Sequence, residues 1–200
     1  ERVKYEQDAC ALIEEKIGKQ PDLVCLAGFD QWNTDWLIDR YFPRVLNVHP
    51  GDTTRNYAGL HWIPTAKAII AGDKTVCSTL FIVDKSEDKG PILLQSHALN
   101  IAEMLAKQGE SLTADYKKIT GFLKNNTVTD YAEFQKTAPK EPHHAMTRIS
   151  ENMQQVLKER GDWVIYPRGV EMIAQGRVAI DGKKLYVDDI RLPVNGYKPH

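Results

Sequence analysis

Residues 22–48 read DLVCLAGFDQWNTDWLIDRYFPRVLNV, and this stretch is the clearest indication of the fold class. Its first part, residues 22–29, is apolar on both faces, which is typical of a strand in the middle of a covered parallel sheet. Asn33 or Thr34 can then cap a helix. A second apolar run at residues 44–48 predicts another strand. Because the crossover between the two runs is long enough to hold a helix, we expect parallel pairing.

The same alternation continues on both sides of this stretch. Before it, residues 9–17 carry apolar side chains at helical spacing, and Gly18 offers a C-cap. After it, a helix near residues 63–71 precedes apolar runs at residues 75–83 and 92–96. This alternation predicts an α/β fold with a Rossmann-like, mostly parallel sheet flanked by helices.

The segment 97–146 is charged and breaks the alternation. Short helices are predicted at residues 102–107 and 116–123, and loops at residues 125–127 and 138–144. We expect this segment to be a helical insertion or a lid-like excursion rather than a second domain.

The C-terminal part returns to regular elements. Helices are predicted at residues 147–160, ending at Gly161, and at residues 166–175, with Pro167 in the first turn. A β-hairpin with an Asp-Gly turn is predicted at residues 177–187. The expected single domain has three parts: a βα core at 1–96, the helical insertion at 97–146, and C-terminal helices and a β-hairpin at 147–200.

Composition argues against several classes of function. With 26 Lys and Arg against 27 Asp and Glu in 200 residues, the formal net charge is −1, which gives no global field to hold a nucleic acid. No stretch approaches the ~18–20 apolar residues that span a bilayer, so no membrane partner is expected. Cys10, Cys25 and Cys77 form no Cys-x-x-Cys pair, which argues against a disulfide framework or a zinc site. Because Cys25 and Cys77 lie in apolar runs, we expect their free thiols to be buried and to act as small hydrophobic side chains. Free thiols are typical of a protein in a reducing, cytoplasmic compartment.

Polar side chains with complementary chemistry follow the predicted strands. In parallel α/β sheets, ligands bind beyond the carboxyl ends of the strands. Asn47 and His49 are two residues apart, so an extended backbone places them on the same face. Asp88 lies in the loop after the run at 75–83. An amide and an imidazolium can stabilise a developing oxyanion, and a carboxylate can orient the imidazole and help remove a proton, as acyl transfer requires.

Each of these residues also has an ordinary interpretation. Asn-x-His occurs by chance, and an Asp before Lys-Gly-Pro is often a turn residue that bonds its own backbone. His61 can be a helix-start residue at the edge of the site, and Arg55 can be solvated surface charge. The pair His143-His144 has no third ligand, so no metal is expected.

Three segments together carry a family resemblance: residues 46–50 (LNVHP), 58–61 (AGLH) and 83–92 (VDKSEDKGPI). Their order and flanks resemble the folate-dependent formyltransferases, and most closely those that act on glycinamide ribonucleotide. The resemblance covers about residues 5–96 and 147–197.

The resemblance implies a formyltransferase fold. It also implies transfer of a formyl group from 10-formyltetrahydrofolate to an amine, glycinamide ribonucleotide or a similar phosphorylated amine. In that scheme Asn47 and protonated His49 stabilise the tetrahedral oxyanion, while Asp88 raises the histidine pKa and relays a proton. The implied partners are small molecules, no metal is needed, and a homodimer is compatible with this scheme.

Candidate binding residues complete the expected site. By resemblance, the folate co-substrate meets residues at the ends of two strands: Phe29, Asp30, Gln31, Trp32, Val83 and Asp84. The amine substrate would meet Asp162, with His61 and Arg55 as further candidates. Gln31 stands where the family has a basic residue, and Asp162 where it usually has Glu. The family's first strand and its glycine-containing phosphate loop have no counterpart in this sequence, so an N-terminally truncated fold is expected.

Three other functions fit the same residues. Passing the formyl group to water would make the chain a 10-formyltetrahydrofolate hydrolase. Passing it to an amino sugar would make the chain a sugar-nucleotide N-formyltransferase. A chain without the phosphate-binding part can also be a non-catalytic folate-binding or partner-dependent module.

Overall fold

The computed structural model describes residues 1–29, 31–55, 57–86 and 88–198. Its helices are α1 Arg2–Ile17, α2 Asp35–Tyr41, α3 Ile63–Ile70, α4 Ile101–Gln108, α5 Glu110–Asn125, α6 Tyr131–Thr137, α7 Lys140–Leu157 and α8 Trp163–Ala174, with a π-helical segment Lys158–Asp162 between the last two. Its strands are β1 Val24–Leu26, β2 Val45–His49, β3 Thr75–Val76, β4 Thr79–Ile82, β5 Ile92–Gln95, β6 Leu99–Asn100, β7 Val178–Asp181, β8 Lys184–Val187 and β9 Ile190–Arg191.

A four-stranded mixed sheet in the order β1-β2-β4-β5 lies at the centre. β1 and β2 are parallel, whereas β4 is antiparallel to both β2 and β5. The predicted α/β class is confirmed, but the parallel pairing expected for the run at 75–83 is wrong. Helix α3 contacts α6, α7 and β3 instead of returning along the sheet. The chain therefore re-enters the sheet where β2 ended, with Thr79 opposite His49.

The apolar run at 75–83 is two strands and not one. It is interrupted at Cys77 and Ser78, so that β3 pairs with β6 in a separate two-stranded sheet while β4 joins the central sheet. The Ser78 N–H donates to Ser96 Oγ at 2.9 Å, which takes this backbone group out of the strand pairing. Side-chain periodicity does not reveal such a break, because both pieces are apolar.

β1 lies at the edge of the described sheet, not in its middle as predicted. Of its three residues only Leu26 is buried. Cys25 is exposed, so the expectation that it is a buried hydrophobe is wrong. Leu26 packs in one cluster with Cys10 of α1 and Leu37 of α2. Cys25 and its neighbours in β1 are all apolar, so their sequence does not show which face is left uncovered.

Three hydrophobic clusters stabilise the chain. One packs α1 and α2 on one face of the central sheet, around Tyr41 and Phe81. A second packs α8 and the C-terminal sheet against buried strand residues such as Leu80 and Leu94. The third is formed by α3 to α7, with Ile149 fully buried in it. The helical region thus has a core of its own beside the sheet.

Both helices predicted in segment 97–146 are confirmed. α4 and α5 include the helices predicted at 102–107 and 116–123, although α5 is longer. The loop predicted at 138–144 is wrong, because α7 begins at Lys140. Pro142 lies in the first turn of α7, where a missing N–H removes no helical hydrogen bond.

The helix end predicted at Gly161 is wrong. α7, the π segment and α8 form one uninterrupted helical run from residue 140 to residue 174. Gly161 is buried within it, and a Cβ there would lie 2.3 Å from Ser78 Oγ. Glycine at this position permits close approach to the start of β4. Because the second helix begins at Trp163, Pro167 lies inside it and not in its first turn.

The predicted C-terminal hairpin is confirmed as β7 and β8. Asp181 pairs with Lys184, so the two-residue loop is Gly182-Lys183 and not Asp181-Gly182. Gly182 has a φ of 60°, a conformation that favours glycine. A third strand, β9, pairs with β8; its two residues are too few to show an alternating pattern.

Candidate active site

His49 and Asp88 are in direct contact. His49 ends β2, and its Nδ1 lies 3.3 Å from Oδ2 of Asp88 in the loop after β4. Asp88 adopts a left-handed backbone conformation with a φ of 48°, which Asp tolerates better than most residues. Asn47 lies two residues before His49 in β2 and lines the same cavity as Asp88. The antiparallel β4 thus leads into the loop that carries the carboxylate to β2.

The imidazole of His49 is buried and has an acceptor at each nitrogen. Its exposed fraction is 5%. The second nitrogen, Nε2, lies 3.3 Å from the carbonyl oxygen of Tyr57. Burial lowers the pKa of His49, while the charge of Asp88 and the Tyr57 carbonyl oppose that shift. A Cβ at Gly51 would lie 3.2 Å from the ring, so glycine leaves room for it there.

The amide of Asn47 has a defined orientation. Its Oδ1 accepts a hydrogen bond from the Val48 N–H at 2.9 Å. The NH₂ group has no partner among the residues that the structure describes. Because Asn47 lines the cavity, this group is available to donate to a ligand oxygen.

The cavity beside Asn47 and Asp88 has apolar walls with a few polar groups. Five of the six residues predicted to hold the folate co-substrate line it: Phe29, Gln31, Trp32, Val83 and Asp84. The sixth, Asp30, lies outside the described residues. Gln31 Oε1 accepts a hydrogen bond from Arg2 of α1 at 3.2 Å. Such a lining suits a flat, largely apolar ligand with a polar edge.

Asp84 is held at the start of the loop that carries Asp88. Its Oδ1 accepts a hydrogen bond from the Ser86 N–H at 2.8 Å, and its Oδ2 lies 2.8 Å from Lys183 Nζ. Burial alone would raise the pKa of Asp84, but Lys183 and Ser86 lower it below its ordinary value. Asp84 is therefore a fixed anion at the wall of the cavity.

The three predicted substrate contacts lie in different places. Asp162 ends the π segment and acts electrostatically on His49. Burial raises the pKa of Asp162, and contacts with Ser78 and His49 oppose that rise. Its Oδ1 has no hydrogen-bond partner among the described residues.

The other two predicted substrate contacts, His61 and Arg55, do not line the cavity beside Asn47. His61 is exposed, whereas its neighbour Leu60 lines that cavity. Arg55 lines a different cavity, where it lies 3.6 Å from Asp73.

Several lining residues were not predicted. Ile38, Phe81, Gly59 and Leu60 line the cavity with Asn47. Phe81 stands directly opposite Asn47 in the β2–β4 register. That position would have been predictable had the antiparallel pairing been known. Tyr57, which contacts His49 through its backbone carbonyl, had no side-chain signal at all.

Two kinds of feature are absent from the described residues. No group of three or more His, Cys, Asp or Glu side chains is placed to hold a metal ion there. No helix in that part of the chain combines the length and apolar character needed to cross a membrane.

Comparison with protein families shows which family the chain belongs to. A family model described as Formyl transferase matches residues 2–119, more than half of the 200 residues. The chain belongs to the formyl transferase family. The resemblance inferred from the motifs around Asn47, His49 and Asp88 is thereby confirmed.

Curated relatives of this formyl transferase chain carry a more specific name. The phosphoribosylglycinamide formyltransferase of Escherichia coli (strain K12) is 25% identical over 186 residues, covering 93% of this chain and 65% of that protein. The enzyme of the same name from Mycobacterium tuberculosis (strain CDC 1551 / Oshkosh) is 37% identical over 85 residues, 42% of this chain and 38% of that protein. The chain thus spans less than two thirds of the length of these relatives.

Solved structures show that the fold is that of the family. The phosphoribosylglycinamide formyltransferase of Coxiella burnetii, in complex with CHES, aligns with a TM-score of 0.59 at 21% identity, covering 99% of this chain and 69% of that one. A formyltetrahydrofolate deformylase from Pseudomonas syringae pv. tomato aligns with a TM-score of 0.51 at 19% identity, covering 90% and 45%. At these identities the likeness concerns the fold alone.

Proposed function

We propose that this chain transfers a formyl group from 10-formyltetrahydrofolate to an amine at Asn47, His49 and Asp88. The observation that carries the proposal is the 3.3 Å contact between His49 Nδ1 and Asp88 Oδ2, with Asp88 and Asn47 both facing one cavity. Membership of the formyl transferase family supports it.

Asn47 would stabilise the oxyanion. When the amine nitrogen bonds to the formyl carbon, negative charge develops on the formyl oxygen. The free NH₂ group of Asn47 can donate to that oxygen because its own carbonyl is already held by Val48. Removing one such donor typically slows a reaction about 10²- to 10³-fold.

Asp88 and His49 would move the proton. Asp88 lines the cavity, so its carboxylate can accept the proton that the attacking amine loses. His49 lies behind it, where the imidazole shares that proton and supplies positive charge near the oxyanion. The proton then passes to the folate nitrogen as its bond to the formyl carbon breaks. General acid–base groups of this kind contribute about 10²- to 10⁴-fold.

The cavity would hold the folate. Phe29, Trp32 and Val83 offer apolar surface to a flat ring system, and the backbone at Asp84 offers polar groups to its edge. The co-substrate supplies the activated formyl group, and these residues bind and orient it. Asp30 and Gln31 belong to the same proposed binding segment.

The proposed acceptor is glycinamide ribonucleotide or a similar phosphorylated amine. The names of the curated relatives from Escherichia coli and Mycobacterium tuberculosis support this choice. Asp162 is the proposed contact to the acceptor beside His49, with Arg55 and His61 as outer contacts. We also propose that residues 97–146 are an insertion within a single domain formed by 1–96 and 147–200.

Hydrolysis of 10-formyltetrahydrofolate is the second candidate. The deformylase of Pseudomonas syringae pv. tomato shares the fold, and water can take the place of the amine without any change in Asn47, His49 or Asp88. The two functions differ in one respect. A hydrolase releases formate with no acceptor present.

The test measures formyl transfer with and without glycinamide ribonucleotide. We expect turnover only with the amine, and a loss of about 10²- to 10⁴-fold in His49→Ala. The control is His144→Ala, an exposed histidine of α7 that should retain full activity. Formate release without the amine would favour the hydrolase. Binding of a folate analogue without turnover would favour the non-catalytic module. Unchanged transfer in His49→Ala would contradict the proposed catalytic site.

A further inference from the structure

A groove lined by basic residues lies between the central sheet and the C-terminal sheet. Its floor is apolar and is formed by Pro91 and Ile92 at the start of β5 and by Leu185 and Leu192. Its rim carries four cationic side chains: Lys89, Lys183, Lys184 and Arg191. The volume is about 660 Å³. We call this feature the basic groove.

Three of the four charges of the basic groove are not balanced by an ion pair with any residue that the structure describes. Lys183 pairs with Asp84 at 2.8 Å. Lys89, Lys184 and Arg191 form no ion pair with any residue that the structure describes. All four side chains belong to exposed residues. A concave surface lined by charges of one sign concentrates its potential and attracts ions of the other sign.

The basic groove is separate from the cavity beside Asn47. The loop that carries Asp84 and Asp88 lies between them, because Asp84 lines the cavity and Lys183, its ion-pair partner, lines the groove. Lys89 follows Asp88 directly but lines the groove and not the cavity. Among the residues that the structure describes, none lines both the cavity and the groove.

We propose that the basic groove binds a phosphorylated small molecule, with its apolar body on the floor and its phosphate groups between Arg191 and the lysines. An arginine can bind two phosphate oxygens at once, and lysines add point charges around them. The volume falls within the range of about 300–1,000 Å³ that is usual for small-molecule sites. The inference does not rest on formyl transfer, since the groove has its own lining.

Two probes distinguish the sources of the phosphate. Calorimetric titration with pyrophosphate tests for recognition of the anion alone, and titration with ADP tests for an organic phosphate with a ring for the apolar floor. We expect ADP to bind more tightly than pyrophosphate, and both to weaken as salt screens the charges. Equal binding of the two would overturn the proposal that the apolar floor holds the body of the ligand.

Charge reversal tests whether the cationic side chains of the basic groove bind the phosphate groups. In Lys184→Glu/Arg191→Glu we expect the Kd for ADP to rise by at least about tenfold. The control is Lys117→Glu/Lys124→Glu on exposed positions of α5, which changes the net charge equally and should leave the Kd unchanged. Backbone NMR shifts induced by ADP should centre on Leu185 and Leu192. Equal affinity for ADP in the two double variants, or NMR shifts centred on Phe29 and Asn47, would overturn the inference. Neither measurement depends on formyl-transfer activity.

Discussion

The imidazole of His49 experiences two opposing influences. Asp88 and the Tyr57 carbonyl are both acceptors, so the contacts of the two ring nitrogens favour the doubly protonated ring. Burial favours the neutral ring and lowers the pKa of His49 below its ordinary value of 6.5. The imidazolium that the proposed reaction uses depends on the charge of Asp88.

Asp88→Asn should lower the pKa of His49 further. Removing the carboxylate charge takes away the largest contribution that favours the imidazolium, while burial is unchanged. A ¹³C NMR titration of the His49 ring measures this directly. In the exposed α2 variant Asp39→Asn the His49 titration should match that of the wild type, and a pKa that rises in Asp88→Asn would contradict the assignment.

Asp162→Asn should stabilise the chain at neutral pH. Burial raises the pKa of Asp162 above its ordinary value of 3.8, so the folded state holds this proton more tightly than the unfolded state. Stability is therefore lost as pH rises from about 3.8 through the folded-state pKa. The variant removes that loss, so its advantage in melting temperature should be present at pH 7 and absent near pH 3. An equal advantage at both pH values would show that ionisation of Asp162 is not the cause.

The helical run from residue 140 to residue 174 is the element that the sequence predicted least well. Its apolar pattern predicted a helix over residues 147–160, and Ile149, Met153 and Leu157 on that stretch are all fully buried. Its continuity was not predicted, because a glycine at the end of an apolar pattern ordinarily marks a C-cap. In the structure Gly161 is instead the position of close approach to Ser78, and that contact joins residues far apart in the chain.

Gly161→Ala should destabilise the chain. A Cβ at this position would lie 2.3 Å from Ser78 Oγ and 2.9 Å from Ser78 Cβ, and such overpacking costs about 1–3 kcal/mol. Gly121→Ala in α5 is the matched control. It has nothing within 4 Å and sits in a helix, so it should gain up to about 1 kcal/mol. Urea unfolding of both variants measures the difference, and equal stability would contradict the tight packing of the π segment.

The candidate site was only partly predictable for a similar reason. Asn47, His49 and Asp88 were predicted from distinctive local motifs and from the expectation that the ends of parallel strands meet. The structure does bring Asp88 to His49, but β4 is antiparallel to β2, so the loop after β4 and not parallel pairing accounts for that contact. The side chains that complete the cavity, such as Phe81 and Ile38, were not identified, because their roles depend on strand direction and on helix placement. Local pattern predicts which elements form, whereas long-range pairing determines which faces meet.

The whole molecule combines a sheet region and a helical region with separate hydrophobic clusters. Ile149 and Leu157 of α7 belong to the helical cluster. Ile165 and Met172 of α8 belong to the cluster on the sheet. Because one helical run carries both sets, loss of structure in one region should pass to the other. We therefore expect the two regions to unfold together.

Ile149→Ala tests this coupling. Truncating a fully buried Ile costs about 2–5 kcal/mol. Hydrogen exchange should then accelerate at Leu80 and Leu94 in the central sheet as well as in α7. Glu151→Ala, on an exposed position of the same helix, should change stability by less than about 0.5 kcal/mol. Faster exchange confined to the helical region would show that it unfolds on its own.

The π segment also determines how residue deletions act. A π turn holds one residue more than an α turn, and each residue of an α-helix advances the side chains by about 100°. Deleting one residue within Lys158–Asp162 would therefore convert the turn to α-helix and leave the helix after it in nearly the same rotation. Deleting one residue of α7 after Ile149, with the π turn kept, would instead rotate Ile165 away from the sheet while Ile149 stayed in the helical cluster. The π segment is thus a place where the helical run can lose a residue without separating its two apolar faces.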